Sequence, residues 1–311
     1  MPSKWVKTFI EVVESGGFGA AASRSFQTQS AVSAHVAALE RQVGVQLFDR
    51  STKPAQLTDA GRLYYDKSVA LMSEWARAGQ DAREVASGMH GRVCIASYPS
   101  VCAAFLPNVL TIARRQIPDL ALQVIELRSV ELDDARVRWD TDMVIRQTFP
   151  APPNTHQLHR IDLWQETLVL VVPKHHHVAV GTKISVDLRR VVGEPIITTG
   201  RGATQGPAAY ETNAALERAG LEAELSLDAS QPQTLIAWVS AGLGIGVTNS
   251  LAIAMADSSA VEVRQLDDVL ALRKVALYVP TERLKSKAVQ KVIKLIVEAE
   301  LPHGVLPVAS N

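Results

Sequence analysis

Thr28-Gln29-Ser30-Ala31-Val32-Ser33-Ala34-His35-Val36-Ala37-Ala38-Leu39-Glu40 is the stretch on which the fold turns. Thr28 is a good N-cap, able to accept a hydrogen bond from the first turn of a following helix. Val32, Val36 and Leu39 then recur at helical spacing and make one apolar stripe. The opposite face carries Gln29, Ser30, Ser33, Ala34 and Ala37, small or polar residues with little bulk to block close approach.

Upstream, Trp5, Phe9 and Val13, flanked by Val6 and Ile10, predict a first helix that ends near Ser15-Gly16-Gly17. A short Ala-rich helix from Phe18 to about Arg24 follows. Downstream, Leu47-Phe48 and Gln56-Leu57 bracket the segment 49–55, which reads as a hairpin tip carrying Arg50, Lys53 and Pro54. Three helices, a tight turn and a hairpin make a winged helix-turn-helix. Such a domain sets its third helix in the major groove of DNA and its wing on the backbone or minor groove.

Thr58-Asp59 opens a helix expected to run to about Ala86, with Leu63, Tyr64, Leu71, Trp75, Ala78, Ala82 and Val85 as an apolar stripe. A solitary helix cannot bury such a stripe, so a partner helix is implied. Ser87-Gly88-Met89-His90-Gly91 reads as a flexible joint.

Beyond residue 91 strands and helices alternate. Strands are expected at 93–96, 120–126 and 142–146, with helices at 100–116 and 129–139 between them. A second series starts at Pro195: strand, helix 207–219, strand 223–228, helix 232–241 and strand 244–248. Apolar Leu168–Val172, strand 274–279 and helix 285–299 complete the set, and the tail after Leu301 reads as loose. Two βαβ lobes with right-handed crossovers are the expected outcome. The expected fold class is α/β: a winged helix-turn-helix at 1–58, a linker and dimerisation helix with hinge at 59–90, and a two-lobed domain at 91–301. Lobe 1 takes about 91–161 and 268–301, and lobe 2 about 162–267.

Bulk properties set limits. The 311 residues suit two or three domains, and the 47% apolar content is enough for real cores. No run approaches the ~20 apolar residues of a membrane helix, and the N-terminus lacks a secretory pattern, so a cytoplasmic protein with no membrane partner is expected. Two cysteines, Cys94 and Cys102, fit a reducing compartment. Net charge is zero, and residues 1–90 hold ten Lys and Arg against nine Asp and Glu, so charge alone does not indicate nucleic acid.

The residues do. Phe9, Ser15-Gly16-Gly17-Phe18, Ala21-Ala22, Thr28 to Ser33, Leu39-Glu40, Gly44-Val45, Leu47 to Arg50 and Leu57-Thr58-Asp59-Ala60-Gly61 together resemble the LysR-type transcriptional regulators over about sixty residues. The resemblance implies a winged helix-turn-helix, a dimerising linker helix and an effector domain shaped like a type 2 periplasmic binding protein. It further implies a dimer of dimers on promoter or operator double-stranded DNA, with RNA polymerase as a further partner. Gln29 and Ser33 are then expected to touch DNA, with Thr28, Ser30 and His35 beside them and Arg50, Lys53 and Pro54 in the wing. The competing readings are a solvated helix face, and for Arg50 an internal salt bridge. Ser25 and Gln27 depart from the family's usual Leu and aliphatic residue, with Phe26 expected to supply the lost core contact. Ala34 replaces the usual Arg or Lys, removing a cation that touches DNA.

Other motifs read as structural. Gly242-Leu243-Gly244-Ile245-Gly246 follows a helix and precedes a strand, the reverse of a dinucleotide-binding order, so the glycines serve a tight turn. His175-His176-His177 has no carboxylate or Cys spaced nearby and reads as an exposed loop rather than a metal tract. Cys94 falls in a buried strand and reads as a small hydrophobe. No nucleophile elbow, paired-carboxylate motif or metal-ligand spacing appears. No catalytic residue, cofactor or metal is therefore expected.

In a two-lobed α/β fold, ligands bind at the carboxyl ends of the strands, between the lobes. That places Tyr98 and Ser100, Arg128 and Ser129, Arg146, the loop Gly202-Ala203-Thr204, and Thr248 around one cleft. Hydroxyls, backbone N–H groups and an arginine together favour an anion, most simply a carboxylate. A solute-binding module is the first rival, and it leaves the first ninety residues unexplained. An α/β enzyme is the second, and it would need a catalytic constellation.

Overall fold

The computed structural model describes the chain apart from residues 1, 50, 52–53, 88–90, 129–130, 134–140, 150, 154, 180–184, 187, 192, 200–224, 230, 267–271 and 309–311. The helix expected at 207–219 lies outside the described residues, as does most of that expected at 129–139. The chain divides into two compact units that meet in the sequence at Gly88/Met89.

The first unit contains α1 (Pro2–Glu14), α2 (Phe18–Arg24), α3 (Gln29–Val43), the strands β1 (Phe48–Asp49) and β2 (Gln56–Leu57), and α4 (Asp59–Ser87). Val32, Val36 and Leu39 of α3 close on Phe9, Ile10 and Val12 of α1 in one core. An aromatic chain ties its parts together. Phe9 meets Phe48 at 5.5 Å and Tyr64 at 5.7 Å, and Phe48 meets Phe18 at 5.1 Å between centroids. Each ring adds roughly 1.5–3 kcal/mol by burial, so helices and wing strands stabilise one another.

Two local devices set the wing. Gly44, at φ 80°, ends α3 in the left-handed region and donates to Glu40 O. The Glu40 carboxylate then accepts from Leu47 N–H at 2.9 Å and Phe48 N–H at 3.2 Å. Thr58 Oγ accepts from Gly61 N–H at 2.9 Å, capping α4. Gly61 itself is required, because a Cβ there would stand 2.0 Å from Leu47 O.

Along α4 the expected stripe divides. Tyr64 turns into the unit's own core with Tyr65, Val69 and Met72, whereas Leu63, Leu71, Trp75 and Ala78 are exposed. Phe26 does not replace a core contact. It is 99% exposed at φ 53° in the turn before α3, a conformation that points its ring outward.

The second unit holds β3 (Arg92–Ser97), α5 (Pro99–Ala104), α6 (Leu106–Gln116), β4 (Ala121–Glu126), β5 (Met143–Gln147), β6 (Leu158–Pro173), β7 (Ser185–Val186), β8 (Ile196–Thr199) and β9 (Leu225–Ala229). It continues with α7 (Pro232–Ser240), β10 (Ile245–Asn249), α8 (Ser250–Ala254), β11 (Val261–Leu266), β12 (Leu272–Pro280), α9 (Lys287–Glu298) and β13 (Leu306–Pro307). The single helix expected at 100–116 is two. Pro107 has no N–H to offer the preceding turn, and the chain breaks at Phe105. The tail is not loose throughout, since Leu306 and Pro307 pair with Gln165 and Trp164 of β6.

The sheet runs β4-β3-β5-β12-β6-β10-β8-β9, and β6 belongs to both halves. Leu158–Thr167 pair with β12, and Leu168–Val171 pair with β10. Val169 and Val171 pack into one apolar cluster and Leu168, Leu170 and Val172 into another, so this half-sheet is buried on both faces. The glycine run falls where α7 turns into β10. A Cβ at Gly244 would lie 2.4 Å from Pro195 O, and one at Gly246 would lie 2.5 Å from the Leu235 side chain. Close packing, not phosphate binding, accounts for those glycines.

Candidate functional site

Two surfaces carry chemistry, one on each unit. On the first, Thr28 Oγ accepts from Ala31 N–H at 3.2 Å and starts α3 as a cap. Ser30 Oγ lies 3.0 Å from Thr28 Oγ, and Gln29, Ser30 and Ala34 are exposed, with Ser33 partly so. The face opposite the core is therefore open, and uncharged until Arg41 in the last turn. His35 is tied into the domain, with Nδ1 3.2 Å from the buried Thr8 hydroxyl of α1. Burial lowers its imidazole pKa, and the Lys4 cation lowers it further. Of the wing residues, Pro54 is exposed, while Arg50 and Lys53 lie outside the described residues.

The second surface follows from strand register. Within the first half-sheet β3, β4 and β5 are parallel, and within the second β8, β9 and β10 are parallel. Gln147, at the end of β5, stands opposite Val275, which stands opposite Trp164 near the end of the β12-paired part of β6. Asn249, at the end of β10, stands opposite Leu168. The carboxyl ends of both half-sheets therefore meet at Thr167/Leu168, the position at which α/β folds bind ligands.

Several buried polar side chains lie at these strand ends. Tyr98 donates to Glu166 Oε1 at 3.4 Å, and the Arg273 guanidinium lies over the Tyr98 ring at 5.0 Å. Ser100 and Thr198 are buried, and among the described residues neither hydroxyl has a hydrogen-bond partner. Thr248 is buried at the end of β10, and the Asn249 side chain accepts from Ala252 N–H at 2.8 Å. Gln147, Glu166, Thr198 and Arg273 did not stand out in the sequence. Only the register of β6 brings them together.

Other expected residues are differently placed. Arg128 is half exposed and donates to Glu131 at 2.7 Å within its own loop. Arg146 is 1% exposed, and its Nε donates to Gln147 O at 3.1 Å. Asp142, just before β5, is engaged by Cys94 N–H and by Arg283. Ser129 and the loop Gly202-Ala203-Thr204 lie outside the described residues. Cys94 and Cys102 are not joined in a disulfide, and burial pushes the Cys102 thiol up to about 12, far from a reactive thiolate. The histidine tract is not simply an exposed loop. His176 is partly buried and lies 2.8 Å from Glu194, a carboxylate whose approach the sequence spacing did not reveal.

A winged helix-turn-helix joined in one chain to a two-lobed binding module defines a ligand-responsive DNA-binding regulator. Residues 3–62 match the bacterial regulatory helix-turn-helix of the lysR family, and residues 86–300 match the LysR substrate binding domain. The chain belongs to the LysR family of transcriptional regulators. It is similar to the transcriptional regulator AlsR of Bacillus subtilis, at 28% identity over 79% of each chain. It is also similar to a probable hydrogen peroxide-inducible genes activator of Mycobacterium leprae, at 27% identity over 90% of this chain and 85% of that one. Among solved structures, full-length BenM shares the fold with TM-score 0.55 and 20% identity over 95% of both chains. Full-length CbnR, solved in complex with its target DNA, does so with TM-score 0.54 and 19% identity over 96% and 98%. The protein is thus a DNA-binding transcription regulator modulated by a small molecule. None of its described helices is long and apolar enough to cross a membrane.

Proposed function

We propose that this chain works as a homo-oligomer without catalytic activity, reading promoter or operator DNA through α3 and the wing under control of a small anionic effector. The domain division that goes with this reading is DNA binding at 1–58, pairing at 59–90 and effector binding at 91–301. Gln29 and Ser33 are the base-reading residues, supported by Thr28, Ser30, Pro54, Arg50 and Lys53. His35 is a positioning residue, because Thr8 holds it.

The observation that carries the effector reading is the meeting of the two half-sheets at Thr167/Leu168, with the Ser100 and Thr198 hydroxyls buried at its edges. Two hydroxyl donors suit a carboxylate better than a cation, which they could not neutralise. Tyr98, Arg146, Thr248 and the loop Gly202-Ala203-Thr204 complete the expected contacts, with Arg128 and Ser129 at the rim. The exposed stripe Leu63, Leu71, Trp75 and Ala78 supports pairing of α4 with its counterpart in a second copy. Pairing of such dimers would give the tetramer, and RNA polymerase is the further partner in this reading.

One chromatographic comparison tests the reading. Intact protein is passed over immobilised operator and random DNA beside a form lacking residues 1–60. Specific retention by the intact chain alone supports it, and equal retention of both forms refutes it. Calorimetry with a panel of small carboxylates then compares the parent protein with Ser100→Ala and Thr198→Val. Unchanged binding in both variants removes the cleft assignment.

A further inference from the structure

We propose that His176, His177 and Glu194 form a binding site for a divalent transition-metal ion of the zinc class, separate from the effector cleft. His176 and His177 lie in the turn that follows β6, and Glu194 lies in the turn that precedes β8. Both turns are at the edge of their half-sheet opposite the carboxyl ends that form the cleft, because β6 and β10 run antiparallel and β8 runs parallel to β10.

The backbone fixes both turns. His176 N–H donates to Pro173 O at 3.0 Å, Ala179 N–H to His176 O at 2.8 Å, and Glu194 N–H to Val191 O at 3.2 Å. Val178, Val191 and Ile196, which flank the three residues, sit in one buried cluster. The site therefore rests on the packed core rather than on loop chance.

Its ligand atoms lie within 4.8 Å of one another. Glu194 Oε1 stands 2.8 Å from His176 Nε2 and 3.9 Å from His177 Nδ1. Two ligands of a tetrahedral zinc ion at its usual bond lengths are separated by about 3.4 Å, which those two distances bracket.

The hydrogen-bond partners of the two rings add a second indication. His177 Nε2 is 3.3 Å from the Arg190 carbonyl, which can only accept, so Nε2 carries the proton. Its Nδ1, 3.9 Å from Glu194 Oε1, is then the ring nitrogen left to ligate. A ring N–H held by a backbone carbonyl is also the arrangement that orients metal-ligating histidines.

His176 has the opposite tautomer in the metal-free protein. Val178 N–H donates to its Nδ1 at 3.3 Å, so its Nε2–H donates to Glu194. Metal uptake moves that proton from Nε2 to Nδ1 and gives up the long bond from Val178, with no net proton released. Three protein ligands leave a fourth position for water.

The test uses full-length protein freed of any affinity tag and of metal, titrated with Co²⁺. The proposal expects a tetrahedral cobalt band in the visible that saturates at one equivalent, is displaced by Zn²⁺, and accompanies a rise in melting temperature. His177→Gln and Glu194→Gln should each weaken binding by tenfold or more. His177 is 58% exposed at its side chain, so its variant keeps the fold even if the Glu194 variant does not. Absence of the band at stoichiometric cobalt overturns the site, and so does a band left unchanged by His177→Gln.

Discussion

Arg273 of β12 and Glu166 of β6 are cross-strand neighbours whose Nε and Oε1 are 2.7 Å apart, with almost no exposure on either side chain. They lie beside the point where β6 passes from one half-sheet to the other. The Glu166 carboxyl also receives the Tyr98 hydroxyl and the Leu251 N–H. The turn after β3, the returning strand and α8 thus converge on one carboxylate. Burial raises its pKa above the ordinary value, while Arg273 and these donors oppose that shift. Glu166→Gln leaves Arg273 buried without its counter-ion and should lower unfolding free energy by about 3–5 kcal/mol in denaturant titration. Pairing Glu166→Leu with Arg273→Met should recover most of that loss, and a strictly additive double variant would show that the pair is not coupled.

Gly61→Ala should destabilise the first unit by about 1–3 kcal/mol, because its Cβ would press on the Leu47 carbonyl. A lowered melting temperature together with weaker DNA retention is the expected result. An unchanged melt would mean that α4 and the wing strand separate at no cost.

Gln29→Ala and Ser33→Ala should weaken binding to operator more than to random DNA, by about 1–3 kcal/mol where a base contact is lost. Competition titrations at one fixed salt concentration measure the ratio. Equal losses on both DNAs would leave these residues a positioning role only.

The His35 imidazole should titrate below the ordinary 6.5 of a free histidine, since burial and Lys4 both favour its neutral form. The unfolded chain then binds more protons between the folded value and 6.5. Its contribution to stability is complete above pH 6.5 and is lost as pH falls through the folded value. Ring-proton NMR across that range checks the shift, and His35→Gln should remove the corresponding step in stability.

Trp75→Glu should dissociate the oligomer without unfolding the protomer, because Trp75 is 71% exposed within one chain and stands in line with Leu63 and Leu71. A charge there would be buried at a helix–helix contact without a partner. Sedimentation showing an unchanged assembly would move the interface elsewhere.

Most of the first unit was legible, Tyr64 and Phe26 apart. Thr28 caps α3, Val32, Val36 and Leu39 fill the core, and α2 spans the residues expected, because helical period and capping are local signals. Tyr64 was misplaced on the outer stripe because two faces of one helix differ by a single residue. In the second unit most strands were readable, but β7, β11, β13 and the continuity of β6 were not; the polar first half of β6 hides the run into Leu168–Val172. Residues brought together only by the fold, such as Arg273 with Glu166 or His176 with Glu194, leave no trace in sequence spacing.

The continuity of β6 has a mechanical consequence. Both lobes share one sixteen-residue strand whose backbone groups are committed to neighbours on each side of Thr167/Leu168. A hinge made of loop could swing freely, whereas this one is a torsion bar. Any change in the angle between the lobes must be absorbed as twist shared among β6, β10 and β12. The amides around that point should therefore exchange with solvent as slowly as the core, with or without effector.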